Sequence, residues 1–170
     1  MTVFLLGGTG AIGSHALPAL LAAGHDVSAL VRTSEKAAAV RAQGAEPVLV
    51  SMFDRTALSD SFQGHDAVVN LATSMPSMTT FVFRRAWRAT ERVRIDGSAA
   101  VVDAALVTGV PRLVQESVSM VYPDRGEEWI DEDVEPDPYP NARGNLAAEA
   151  SATRFGKAGG TSIVLRLGLF

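Results

Sequence analysis

Gly7, Gly10 and Gly13 stand at i, i+3 and i+6 between an apolar run, Val3-Phe4-Leu5-Leu6, and a helical stretch that begins at Ser14. A strand, a Gly-rich turn and a helix in that order build a pyrophosphate site. Glycine lets backbone approach the phosphates, and the helix N-terminus supplies unpaired N–H groups and a partial positive charge. The triplet alone is common, but the flanking strand and helix are the context that gives it meaning. Gly7, Thr9, Gly10, Ala11, Ile12 and Gly13 are therefore the candidate phosphate-binding residues.

Short apolar runs alternate with helical stretches along the whole chain. Strands are expected at Val3–Leu6, Val27–Val31, Pro47–Val50, Ala67–Leu71, Arg112–Glu116 and Ser162–Leu167, with helices near Ser14–Ala23, Ser34–Gln43, Thr56–Phe62, Arg84–Val107 and Ala142–Lys157. Gly24, Gly44, Gly64 and Gly109 fall where helix C-terminal caps belong. Pro18, inside the first helix, should kink it rather than end it. Apolar, non-alternating strands separated by helices imply a parallel sheet covered on both faces. The expectation is one α/β domain over residues 1–170, a doubly wound (Rossmann) fold of about six strands that binds ligand beyond the strand C-termini.

In such a fold the end of strand two reads the adenosine ribose: an acid bonds a free 2′-hydroxyl, an arginine a 2′-phosphate. Strand two runs into Val31-Arg32-Thr33-Ser34 with no acid there. Arg32, with Thr33 beside it, points to NADP in preference to NAD. Thr73 to Phe83 leaves strand four on the ligand side. Pro123 to Pro140 carries eight carboxylates and four prolines and reads as a solvated loop.

Composition narrows the partners. Net charge is −4 with no basic run, which argues against nucleic acid. No apolar run is long enough for a membrane span, and because the first strand starts at once no signal peptide is expected. Absence of cysteine removes disulfides and thiolate metal sites and makes a reducing, cytoplasmic setting the expectation. His15, His25 and His65 lack metal-ligand spacing.

These residues together resemble the extended short-chain dehydrogenase/reductase family, the NAD-dependent epimerase/dehydratases. GGTGAIG is similar to its Gly-rich turn and AGHDVSALVR to its second strand with an NADP-type arginine. FQGHDAVVNLA resembles its fourth strand, placing Leu71, Ala72 and Thr73 beside the cofactor. GVPRLVQES with VYP, WIDEDVEPDP, LAAEA and VLRLGLF resemble its later landmarks. The resemblance implies oxidoreduction or epimerisation of a small or sugar-like substrate, and a homodimer through the two long helices.

Two departures qualify it. The family continues into a substrate-binding region after the strand that here leads into Leu169 and Phe170, so the chain is expected to be the cofactor half of a longer protein or a truncated product. The family's catalytic positions are also altered. Val118 stands where it has a serine or threonine, with Ser117 and Ser119 on either side, and Arg94 stands where it has an asparagine. Its YxxxK pair falls either on Tyr139 and Arg143 or, in the register set by Glu149, on Asn141 and Asn145. The second is preferred because it keeps the helix spacing, and it places Asn145 among the cofactor contacts. Asparagine cannot do a phenol's acid–base work. Ser117, Ser119, Tyr122 and Tyr139 remain the catalytic candidates, and a non-catalytic NADP(H)-binding module or inactive fragment is the alternative.

Overall fold

The computed structural model describes residues 1–168; Leu169 and Phe170, which end the last apolar run, lie outside the described residues. Six strands, β1 (Thr2–Leu6), β2 (Asp26–Leu30), β3 (Glu46–Val48), β4 (Ala67–Asn70), β5 (Arg112–Val118) and β6 (Thr161–Leu167), form one sheet in the order β3-β2-β1-β4-β5-β6. Every neighbouring pair is parallel. The chain builds outward from β1 to β3 and then returns to lay β4 against β1's other edge. This reversal opens a crevice at the carboxyl ends of β1 and β4, the place where such sheets take ligands.

Helices α1 (Gly13–Ala22), α2 (Ser34–Ala42), α3 (Arg55–Phe62), α4 (Arg88–Arg92), α5 (Ser98–Thr108) and α6 (Arg143–Lys157) supply the outer layers. Strand periodicity divides the core. Phe4, Leu6, Val68 and Leu113 join Leu58 and Phe62 of α3, Val101 of α5 and Phe155 of α6 in one cluster. Leu5, Val27, Ala29 and Val31 join Leu17 of α1 and Val40 of α2 in the other. Phe4 meets Phe62 edge-on, with ring centroids 4.8 Å apart. Gly24, Gly44, Gly64 and Gly109 all take positive φ, as their cap positions demand. α1 runs through Pro18 without ending.

Three expected elements differ. The stretch Arg84–Val107 is not one uniform α-helix: a 3-10 turn (Arg84–Trp87) precedes α4, and a π turn (Val93–Gly97) separates α4 from α5. The Ser98 hydroxyl bonds back to the Arg94 carbonyl within that wide turn, the kind of competition that disturbs helical pitch. β5 continues two residues past Glu116, because β6 pairs with it as far as Val118↔Leu167. β3 stops at Val48; with Pro47 in it, it is the short edge strand such a residue permits. No helix among the described residues is long and apolar enough to cross a membrane.

Candidate functional site

The glycine turn lies at the mouth of the crevice, and its three glycines are there for different reasons. Gly7 has φ 80°, and a Cβ on it would run into the Leu71 carbonyl and come within 2.7 Å of the Ala72 nitrogen. A Cβ on Gly13 would strike the Gly7 carbonyl and lie 2.6 Å from the Gly8 Cα. Both are required by the fold itself. Gly10 is exposed, has no positive φ, and would meet only the Gly7 carbonyl at 3.2 Å. Its missing side chain leaves open space on the outer surface of the turn.

The turn closes through Gly10 N–H donating to the Gly7 carbonyl at 2.9 Å and Ser14 N–H to the Gly10 carbonyl at 2.9 Å. Among the described residues the N–H groups of Ala11, Ile12 and Gly13 find no acceptor. α1 has no side-chain cap and no acid in its first turn. A buried or ligand-facing helix end needs such donors satisfied, and an anion satisfies them best. Thr9 is half-buried beside them.

At the end of β2, the Val31 N–H donates to the Val48 carbonyl at 2.9 Å, which carries the strand direction one residue further. Arg32 follows, exposed, and among the described residues no carboxylate lies within ion-pair distance of it. Thr33 is the N-cap of α2, its hydroxyl accepting from Lys36 N–H at 3.3 Å. On the other side of the turn Leu71 N–H donates to the Leu6 carbonyl, binding the β4 exit to β1. Ala72 N–H donates to the Asn70 side chain, whose amide donates in turn to Gln115 at 2.9 Å. Thr73 is exposed just beyond. The glycine-turn residues and the β4-exit residues are thus brought together, with Arg32 at the neighbouring strand end.

The catalytic candidates are less concentrated. Ser117 is fully buried, and its hydroxyl donates to Glu149 of α6 at 2.5 Å. Arg166 of β6 grips the same carboxylate through Nε at 3.0 Å and a terminal nitrogen at 2.8 Å. Those bonds hold the Arg166 pKa above its ordinary value. Tyr122 lies with its ring 4.7 Å from the Arg166 guanidinium. Ser119 opens a 3-10 turn after β5. Tyr139 is 51% exposed, its backbone tied by its N–H to the Met120 carbonyl and by its carbonyl to the Ala142 N–H, and Arg143 is exposed. Asn141 precedes α6 and Asn145 stands in its first turn, fully buried, with both amide atoms lacking a partner among the described residues.

Near the start of α6 lie two buried residues of opposite charge that the sequence reading missed. Arg94, in the π turn, is only 7% exposed and donates to the Asn141 carbonyl at 3.2 Å. Its stem runs along Gly144, where any side chain would meet Arg94 at 3.4 Å. Glu116 of β5 is nearly as buried. Burial pushes the Glu116 carboxyl up and the Arg94 guanidinium down, and each opposes the other's shift. The available signal was an acid on a strand whose neighbours are mostly buried, which calls for a cation nearby.

Arg94→Met is expected to cost about 2 kcal/mol of stability near neutral pH by leaving Glu116 buried without its counter-charge. Burial then keeps the folded carboxyl's pKa above the ordinary 4.5, so the folded chain takes up a proton before the unfolded one. The penalty shrinks as pH falls toward that value. Urea midpoints at about pH 7 and about pH 5 check the sign; an equal deficit at both would contradict it.

Residues 7–154 match a protein-family model described as NAD(P)H-binding. The chain is 35% identical over 136 residues to a 3-diazoavenalumate denitrifying reductase of a Streptomyces species, an alignment that takes in 78% of this chain and 43% of that protein. It is 34% identical over 125 residues to a 4-hydroxy-2-methyl-3-oxo-4-farnesyl-3,4-dihydroquinoline-1-oxide ketoreductase of Stigmatella aurantiaca, covering 73% of this chain and 35% of the other. Among solved structures, the Thermus thermophilus UDP-glucose 4-epimerase in complex with NAD superposes with a TM-score of 0.81 at 25% identity, over 98% of this chain and 54% of that one. The chain therefore spans less than half of these two curated relatives and just over half of the epimerase.

Proposed function

Because this chain belongs to the NAD(P)H-binding family, as a short-chain dehydrogenase-like cofactor domain of the oxidoreductases and epimerases, we propose that it holds NADP(H) in preference to NAD(H) for oxidoreduction or epimerisation of a small molecule. The observation that carries this reading is the open outer surface at Gly10 beside the Ala11, Ile12 and Gly13 N–H groups at the start of α1, which find no acceptor among the described residues. Gly7, Thr9, Gly10, Ala11, Ile12 and Gly13 would cradle the pyrophosphate. Arg32 and Thr33 would take the 2′-phosphate, and Leu71, Ala72 and Thr73 would line the side toward the nicotinamide. When bound, the nicotinamide supplies or accepts the hydride; this chain's part is to hold and orient it. Asn145, sealed from solvent, would act through a bridging water on its two unpartnered amide atoms. Calorimetry with NADPH and NADH tests the reading; absence of saturable binding by either would overturn it.

A second reading is favoured by Val118, Asn141 and Asn145, which leave no hydroxyl–tyrosine–lysine set in the register that Glu149 marks. In it the chain binds the cofactor without tyrosine–lysine turnover. General acid–base catalysis is worth about 10²–10⁴-fold, so its loss leaves at most weak activity. Tyr139→Phe and Asn141→Ala are both expected to leave NADPH affinity intact and any NADPH-dependent absorbance change within a few-fold of the parent. If Tyr139→Phe alone eliminated such an activity, Tyr139 would be the proton donor and the preferred register would be wrong.

A further inference from the structure

The segment between β5 and α6 is fixed at its roots and held at one point between them. Val118 and Val121, where β5 runs out, pack with Ala142 and Leu146 at the start of α6 in a small cluster of their own. Tyr139 N–H closes the base of the loop on the Met120 carbonyl at 3.3 Å. Residues 124–138 then bond mostly to themselves. Gly126 N–H donates to the Asp124 carboxylate and Glu128 N–H to the Arg125 carbonyl, while the Asp133 and Val134 N–H groups both donate to Asp131. Trp129 is 100% exposed, so no aromatic packing fastens the tip, and only Val134, Pro136 and Pro138 are half-buried.

Among the described residues a single hydrogen bond joins 124–138 to the rest of the chain. Arg166 of β6 donates Nη1–H to the Glu132 carbonyl at 3.4 Å. Its other contacts aim it. Nε and Nη2 grip Glu149 of α6 at 3.0 and 2.8 Å, which leaves Nη1 for the loop. Glu149 accepts in turn from the Ser117 hydroxyl at 2.5 Å, and the Tyr122 ring lies 4.7 Å from the guanidinium. The side chains of Arg166 and Glu149 are 19% and 12% exposed, so salt screens this pair little. A planar fork that fixes two bonds and keeps donors to spare is what arginine offers and lysine does not.

Charge works against the closed loop. Residues 124–138 carry eight carboxylates and one arginine, and Arg125 lies 3.7 Å from one of them, Glu128. Like charges crowded on a short segment repel and favour its opening. Few buried contacts, local hydrogen bonds and self-repulsion make a unit of low local stability.

We propose that residues 124–138 are a strap that opens and closes as one unit, with Arg166 as its buckle and Glu149 and Ser117 as the positioning residues that aim it. β5 and β6 end, and α6 begins, at the carboxyl edge of the sheet. The strap therefore lies on the same side as the crevice between β1 and β4, and its opening controls access to the ends of β5 and β6. The inference stands on these contacts and does not depend on which ligand the crevice takes.

Native-state proteolysis of the full chain tests it, because cleavage inside a segment follows the population in which that segment is open. Trypsin after Arg125 and a glutamate-specific protease after Glu135 report the strap from either side of Glu132; trypsin after the buried Arg94 reports global unfolding. Arg166→Met/Glu149→Gln removes the buckle without leaving a buried charge, and glutamine still accepts from Ser117. It is expected to speed cleavage at Arg125 and at Glu135 by the same factor, about tenfold, with cleavage at Arg94 unchanged. Arg166→Lys should fall between parent and double variant, and decides by the same comparison if the double variant does not fold. Higher ionic strength should slow cleavage of the parent strap, relative to the unfolded chain at the same salt, because it screens the exposed carboxylates more than the buckle. Strap cleavage indifferent to the variants would overturn the assignment. So would acceleration at Arg94 equal to that at Arg125, which would make Arg166 and Glu149 general supports of the sheet. Unequal factors at Arg125 and Glu135 would overturn the single unit, and faster parent cleavage with salt would overturn self-repulsion as what opens it.

Discussion

Gly10→Val is expected to weaken NADPH binding by at least about a hundredfold while the protein stays folded. The two effects separate because of where this glycine sits. A side chain at Gly7 or Gly13 would collide with the β4 exit or with the turn's own backbone, so loss of binding there could be loss of fold. At Gly10 the added Cβ meets only the Gly7 carbonyl, at 3.2 Å, and the rest of the valine projects outward. The projecting methyls occupy the space through which phosphate oxygens would reach the Ala11, Ile12 and Gly13 N–H groups. Calorimetry on the variant, beside a thermal melt that shows it folded, makes the comparison. Undiminished affinity would remove the turn from the cofactor site.

Arg32→Asp should invert cofactor choice. A charge-assisted hydrogen bond contributes about 1.5–3 kcal/mol, which corresponds to a roughly ten- to hundredfold preference of the parent for NADPH over NADH. Arg32 is exposed and has no carboxylate partner among the described residues, so nothing in the free protein competes for it. Aspartate at this strand end repels a 2′-phosphate and accepts from a free 2′-hydroxyl. Thr33, as the N-cap of α2, holds its backbone in place whichever residue precedes it. Equal affinity of the parent for both cofactors would reduce Arg32 to a surface residue.

The architecture was legible because its signals are local. Val3-Phe4-Leu5-Leu6 is apolar on both faces and therefore central, and the observed sheet buries Phe4 and Leu6 on one side and Leu5 on the other. Glycines after α1, α2, α3 and α5 marked helix ends because only the left-handed conformation closes them. What the sequence hid depends on pairing between distant segments. β5 extends to Val118 only because β6 lies alongside it, and no periodicity within residues 112–118 announces that. The π turn at Val93–Gly97 carries Arg94 buried against Gly144 of α6, a contact between distant segments that no local helix propensity announces.

The site divides in the same way. Backbone-built features, the glycine turn and the strand ends, are encoded by contiguous residues, and the turn lies between β1 and α1 as its glycine spacing implies. Side-chain constellations are not so encoded: Ser117 is tied to Glu149, thirty-two residues away, and Glu149 to Arg166. From sequence alone Ser117 was simply a hydroxyl near a strand end. Asn145 had been assigned by the spacing from Glu149; its complete burial, with two unpartnered amide atoms, is a property of the packing of α6 that spacing could not reveal.

The most direct measurement of the central claim is a crystal structure of the chain grown with NADPH. The expected density places the pyrophosphate within hydrogen-bond reach of the Ala11, Ile12 and Gly13 N–H groups, over the bare face of Gly10, with the 2′-phosphate against the Arg32 guanidinium. A dinucleotide seated elsewhere, with the glycine turn open to solvent and Arg32 unengaged, would contradict it.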